Sequence, residues 1–273
     1  MNGPHAVESD EDPRIDVFRD VRDRDLRGRD GIFMAESELV VRRLLRTPER
    51  LHSLLLSPPR FEAMGDVLCD IPEALPVYVA PLSVMESIAG FHIHRGVLAA
   101  GVRPSVSDLA CAPFIDALAA TGPCLVLAAA GITNVDNMGG LFRVAAAFGA
   151  AGVLLDGACC DPLYRKAIRV SMGHTLSVPF AVAEDLPAAI SRLQARALPT
   201  WAMESQVDAT PLSDAAPGER AVVLVGNEGK GLSDVLLDVA DSVAEIPMAP
   251  GVPSLNVVCA ASVALWERGR RLS

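Results

Sequence analysis

Residues 123–149 read PCLVLAAAGITNVDNMGGLFRVAAAFG. The opening run is apolar without alternation, the pattern of a parallel strand covered on both faces. Asn134 and Asn137 follow at its carboxyl end, where parallel sheets open ligand crevices. Gly139 and Gly140 allow close backbone approach, and a helix is expected over 137–148. Arg143 sits among Leu141, Phe142 and Val144 and, taken alone, reads as a solvated helix position. The same strand-and-helix alternation continues outward. GVLLD (152–156), VPFAV (178–182), PTWAM (199–203), AVVLVG (221–226) and AEIPM (244–248) read as strands. Helices are expected near 162–171, 185–197, 232–239 and 254–267. This is an α/β domain over 122–273 with a parallel sheet.

Two later loops hold the same position after a strand. VVLVGNEGKGLSD (222–234) runs into Gly226 and the turn Asn227-Glu228-Gly229-Lys230-Gly231. It is not a P-loop, which would need Gly at 224 and Ser or Thr at 231, where this chain has Leu224 and Gly231. EIPMAPGVPSLNVVCAASVALWE (245–267) passes through Pro247, Pro250, Gly251 and Pro253 into a helix that is apolar on nearly every face. Such a helix is buried in a core or an interface. Ser254 is placed to act as its N-cap. Asn256 needs a hydrogen-bond partner, because unpaired burial costs about 1–3 kcal/mol.

A chain of 273 residues suits one large domain or two smaller ones. At 51% hydrophobic residues it can bury a core, which excludes global disorder. The net charge of −10 excludes a uniformly basic nucleic-acid binder but allows a local basic patch. Only 4% of residues are aromatic, which argues against a surface built on base stacking. The six cysteines form no CxxC pair, so neither a zinc ribbon nor a disulfide framework is expected. Free thiols in a reducing cytosol are. The opening MNGPHAVESDEDP lacks a signal-peptide apolar core, and no run reaches the roughly 20 residues that span a bilayer. A cytoplasmic protein without membrane contact is therefore expected.

Residues 1–30 alternate Asp and Arg densely and read as a solvated polar leader. Residues 31–101 read as a small αβαβαβ unit. Its helices are AESELVVRRLLR (35–46), FEAMGDVLC (61–69) and PLSVMESIAG (81–90); its strands are LHSLLLS (51–57), PVYVA (76–80) and RGVLAAG (95–101). Arg42, Arg43, Arg46, Arg50 and Arg60 cluster there, and His92, His94 and Arg95 precede the last strand. No carboxylate or cysteine completes the His-x-His pair, so no metal is expected; contact with phosphate fits better. Arg165, Lys166 and Arg169 form a further basic patch. Residues 102–121, with prolines and small residues, read as a linker carrying a short helix.

Together, and in this order, NVDNMGGLFRVAAAFG, LVGNEGKGLS and IPMAPGVPSLNVVCAA resemble the three motifs of the SpoU-like RNA ribose 2′-O-methyltransferases of the SPOUT superfamily. The resemblance covers 122–273. The 31–101 unit is similar to the ribosomal-protein-like RNA-binding domain often fused in front. The resemblance implies a deep trefoil knot at the carboxyl end, S-adenosylmethionine (AdoMet) as cofactor, a homodimer and an RNA substrate. The separate RNA-binding unit fits structured rRNA better than tRNA. By the same resemblance, Gly226, Ile246, Met248 and Leu255 line the cofactor pocket. Asn137, Arg143, Glu228, Ser254 and Asn256 match the positions that catalyse or build the site. Arg42, Arg43, Arg46, His94 and Arg95 are the expected RNA contacts. Cys259 and His174 depart from the small residues usual at their positions. A non-catalytic RNA-binding or assembly factor on this fold has no chemical need for those polar positions. A Rossmann-like oxidoreductase would need the GxGxxG fingerprint that is missing here.

Overall fold

A computed structural model describes residues 4–21, 31–90, 93, 96–205, 209–214, 217–227 and 229–272. The chain forms two compact units, Met1–Ser105 with Pro162–Ser177, and Val106–Asp161 with Val178–Ser273.

The first unit is built on a five-stranded sheet in the order β1-β4-β3-β5-β2. Its strands are β1 (His5–Ala6), β2 (Ile32–Glu36), β3 (Leu51–Leu56), β4 (Val77–Val79) and β5 (Val97–Val102). β1, β4 and β3 run parallel, and β5 is antiparallel to both β3 and β2. Helices Glu38–Leu44, Pro58–Ala63 and Leu82–Ala89 connect them. Two expectations change here. The helix placed at 35–46 gives up its first residues to β2, whose Phe33, Met34 and Ala35 are all buried. Ser37, at φ +79°, separates strand from helix.

The leader, over its described residues 4–21, is largely exposed but is anchored to the unit through buried Val7, Ile15, Phe18 and Val21. β1 joins the sheet edge, and a 3₁₀ helix, Pro13–Phe18, follows. Asp12 caps it by accepting the Arg14 N–H at 2.9 Å. The Arg14 guanidinium holds the Asp12 carboxyl down at about 2. Ile15 and Phe18, three apart, share one face of the 3₁₀ helix, and with Val21 beyond its end they pack with Met85 and Ile88. That stripe was hidden among the alternating charges. Residues 22–30 lie outside the described residues.

Pro162–Ser177 completes this unit through helix Arg165–Val170 and the short turn His174–Leu176. Glu36 receives Arg165 Nη1 at 2.8 Å and Arg169 Nη1 at 2.6 Å. Arg43 Nη1 donates to the Met172 carbonyl at 2.7 Å, and Arg50 Nη1 to the Leu176 carbonyl at 3.1 Å. Burial lowers the pKa of both Arg43 and Arg50.

The second unit holds a seven-stranded sheet in the order β10-β12-β9-β11-β6-β7-β8, every pairing parallel. The strands are β6 (Cys124–Ala129), β7 (Gly152–Asp156), β8 (Phe180–Ala183), β9 (Thr200–Met203), β10 (Thr210–Pro211), β11 (Arg220–Val225) and β12 (Ser242–Glu245). β11 lies between β6 and β9, which precede it in the chain. Helices Val135–Ala147, Leu186–Ala195, Asp234–Val239 and Val257–Leu272 accompany the sheet. The stretch read as a linker contributes helix Cys111–Ala117, whose Ile115 is buried in this unit's core. β12 ends at Glu245, so Ile246 and Met248 stand in a loop. The last helix begins at Val257, and Ser254 does not cap it. Asn256 does: its Oδ1 accepts the Val258 N–H at 2.9 Å and its carbonyl accepts the Ala260 N–H at 2.9 Å. Among the described residues no helix is long and apolar enough to cross a membrane.

Candidate functional site

Parallel strands deliver their carboxyl ends to one edge of the sheet, and there β9, β11 and β12 open a cavity of about 350 Å³. That lies within the usual size range of small-molecule sites. Glu204, Gly226, Ile246, Met248, Ser254 and Leu255 are among its walls.

The loop after β11 is held by Asn227. Its Nδ2 donates to the Gly131 carbonyl at 2.8 Å, and its Oδ1 accepts the Gly229 and Lys230 N–H groups at 2.8 and 3.2 Å. The Gly231 N–H returns to the Asn227 carbonyl at 2.8 Å. The loop thus folds back upon Gly226, where a Cβ would meet backbone atoms of Gly231 and Leu232 at 2.8–2.9 Å. Backbone cannot step aside as a flexible side chain can, so this position requires glycine. Gly231 is constrained differently: its φ of +67° favours glycine, while a Cβ there would meet only the movable Glu204 carboxylate, with Oε2 at 2.6 Å. The same Oε2 accepts the Leu232 N–H at 2.8 Å.

The loop after β6 enters helix Val135–Ala147 through Asn134, whose Oδ1 accepts the Asp136 and Asn137 N–H groups at 2.8 and 3.4 Å. Asn137 is buried, and its Oδ1 accepts Asn256 Nδ2 at 2.9 Å. Asn256 thus has a partner, although it is exposed and not buried as its apolar surroundings in the sequence had implied. Below, the Gly131 N–H meets both Asp156 carboxylate oxygens at 3.0 Å, and the Cys160 N–H reaches the Ile132 carbonyl at 2.7 Å. Burial, reinforced by Asp156, pushes the Cys159 thiol up to about 12; burial and Asp161 push Cys160 up to about 11. Both are protonated at neutral pH and are poor nucleophiles.

Gly226, Ile246, Met248 and Leu255 all line the cavity, and so does Ser254. Asn137 and Asn256 meet each other beside it without lining it. Arg143 is exposed and does not line it; it stands about 9 Å along the helix axis from Asn137. Glu228, His94 and Arg95 lie outside the described residues. The expected basic patch is partly spent within its own unit. Arg42 is held by Glu38 at 2.8 Å and Asp66 at 2.7 Å, Arg43 is bonded to Met172, and Arg46 remains exposed. Glu204 and Asn227 were not singled out from the sequence. Each follows a strand closely, at the end of the sheet that had drawn attention to Asn134.

Residues 124–266 match the model of the SpoU rRNA methylase family. The chain belongs to this family. An uncharacterized tRNA/rRNA methyltransferase of Mycobacterium tuberculosis is 37% identical over 270 residues, 95% of this chain and 90% of that protein. The AdoMet-bound rRNA methyltransferase of Sinorhizobium meliloti superposes with a TM-score of 0.79 at 24% identity, covering 98% of each chain. The crystal structure of an RNA 2′-O ribose methyltransferase gives 0.75 at 24% identity, covering 98% of this chain and 100% of that one. The parallel-sheet α/β fold is therefore that of SpoU methyltransferase structures.

Proposed function

We propose that this SpoU family member transfers the methyl group of AdoMet to a ribose 2′-hydroxyl of a structured RNA, ribosomal rather than transfer RNA, and works as a homodimer. The observation that carries the reading is that the second and third motifs form one cavity while the first is tied to it through Asn137, Asn256 and Asn227. Gly226 would hold AdoMet through backbone groups, with Ile246, Met248 and Leu255 against its apolar parts. When bound, the cofactor supplies an electrophilic methyl carbon. The chain's task is alignment, worth roughly 7–11 kcal/mol at best, and stabilisation of the oxygen that attacks.

Arg143 is a poor proton acceptor, because a guanidinium stays protonated in proteins. Its role in this reading is to bind a phosphate next to the target ribose and to stabilise developing alkoxide charge. Ser254 orients the ribose, the Asn137–Asn256 pair fixes the two helices, and Glu228 braces the second-motif loop. The position of β11 between β6 and β9, with Val257–Leu272 packed back on β11, supports a trefoil knot. Val263 (40% exposed) and Trp266 (62%) leave an apolar stripe on that helix with Cys259, which supports a second copy covering it. The first unit is proposed to bind RNA with Arg46, His94 and Arg95. Arg42 and Arg43 serve its structure.

Replacing Arg143 by Lys keeps the charge and removes the planar fork. RNA methylation should fall at least about 100-fold, with AdoMet affinity within about threefold of wild type. Equal loss of both would refute this division of roles. Calorimetry showing no AdoMet binding at all would favour an assembly factor on the same fold. Ribose-methylation mapping of total RNA from a deletion strain would identify the nucleotide.

A further inference from the structure

The cavity holds two acids, and the family motifs account for neither. Among its described lining residues, Glu204 and Glu245 supply carboxylates and Lys230 an ammonium. The two acids belong to neighbouring strand ends. β9 and β12 pair in parallel with Met203 opposite Ala244, and the Glu204 N–H continues the ladder to the Ala244 carbonyl at 3.1 Å. Glu204 is half-buried, and Gly231 leaves room for its carboxylate. One of its oxygens accepts the Leu232 N–H. Glu245 is half-buried as well, with Ser205 Oγ donating to it at 3.5 Å.

We propose that Glu204, assisted by Glu245, is a specificity-determining residue that selects the positively charged methyl donor over the neutral thioether left after transfer. The inference rests on the cavity's being the AdoMet site. AdoMet and S-adenosylhomocysteine share adenosine, ammonium and carboxylate, and differ by one methyl and one positive charge. During transfer the S–CH₃ bond breaks with its electron pair remaining on sulfur. The O–CH₃ bond forms and the hydroxyl proton is released. The sulfur's charge is then gone. A cavity of about 350 Å³ is about 9 Å across if taken as a sphere, close to the Debye length of about 8 Å at physiological salt. Across that distance salt screens the two carboxylates in part and Lys230 offsets some of their pull, so the effect on the sulfur is greatest where it lies nearest Glu204. Donor capture and product release would thus follow from the same pair of side chains.

Calorimetry on Glu204→Gln and Glu245→Gln tests this, with AdoMet, S-adenosylhomocysteine and sinefungin, which carries an ammonium near the sulfonium position. Gln keeps an acceptor for the Leu232 N–H and removes only the charge. Glu204→Gln should weaken AdoMet and sinefungin about tenfold, equivalent to about 1.4 kcal/mol, and S-adenosylhomocysteine less than about twofold. Glu245→Gln should move the ligands in the same order by a smaller factor, and it carries the test if thermal unfolding shows the Glu204 variant misfolded. Equal weakening of all three ligands, or of none, overturns the proposal and leaves Glu204 as a brace for the loop. Wild-type protein that binds none of them overturns the AdoMet reading itself.

Discussion

Gly140 lies where the Val135–Ala147 helix meets the last helix. A Cβ there would stand 2.6 Å from Val258 Cγ2 and 3.0 Å from Cγ1. Val has one strongly preferred rotamer in a helix and cannot swing clear, so the helices must part. Gly140→Ala gains about 1 kcal/mol of helix propensity but incurs overpacking of about 1–3 kcal/mol. A net loss of about 1 kcal/mol in urea denaturation is expected; a more stable variant would show slack between the helices. The neighbouring Asn137–Asn256 bond marks what single residues disclosed beforehand. Asn256's bond was anticipated from one polar residue in an apolar turn, but on the premise of burial, and the residue is exposed. Its role as cap was not anticipated, because Ser254 was an equally good candidate two residues earlier. Arg42 and Arg43 have internal partners that the sequence did not disclose. Asp66 and Met172 are 24 and 129 positions away along the chain, and no local pattern announces such partners.

The last helix is fastened near its far end. Arg268 is 8% exposed, and its Nε and Nη2 donate to the carbonyls of Gly218 and Glu219 at 2.9 and 2.5 Å, just ahead of β11. Burial lowers its pKa, yet a guanidinium remains charged at neutral pH. Arg268→Met keeps most of the buried stem and loses both charge-assisted bonds, so a loss of about 2 kcal/mol is expected. Arg268→Lys should recover only part of it, since an ammonium lacks the fork that spans two carbonyls. Thermal unfolding of the two variants measures both effects, and an unchanged midpoint for Met would mean the fastening contributes nothing. Elements were read best where apolar runs were long, as in β6 and β11. β2 was lost because a short buried run looks alike in strand and helix, and Ala35 and Glu36 had been counted with the helix that follows. The two-residue strands β1 and β10 leave almost no periodicity to read.

The chain passes between its two units three times, near residues 105, 161 and 177. The first passage falls in a stretch rich in prolines and small residues and was legible as a boundary. The other two carry no compositional mark, because 162–177 looks like any helix between two strands. What assigns it to the first unit is distant: Leu163, Ile168 and Leu176 are buried, and Glu36, Arg43 and Arg50 bond to its side chains and carbonyls. Each such buried side chain contributes about 1.5–3 kcal/mol, and a whole domain retains only about 5–15 kcal/mol. A fragment of residues 1–105 alone should therefore melt without a cooperative transition and bind ANS. Joining residues 162–177 to its end through a Gly/Ser linker should restore a sharp transition, because the linker makes docking intramolecular. Glu36→Ala in that fusion should weaken it again, since Arg165 and Arg169 lose a shared carboxylate partner. If 1–105 unfolded as cooperatively as the fusion and at the same temperature, the segment would be a passenger on a unit already complete.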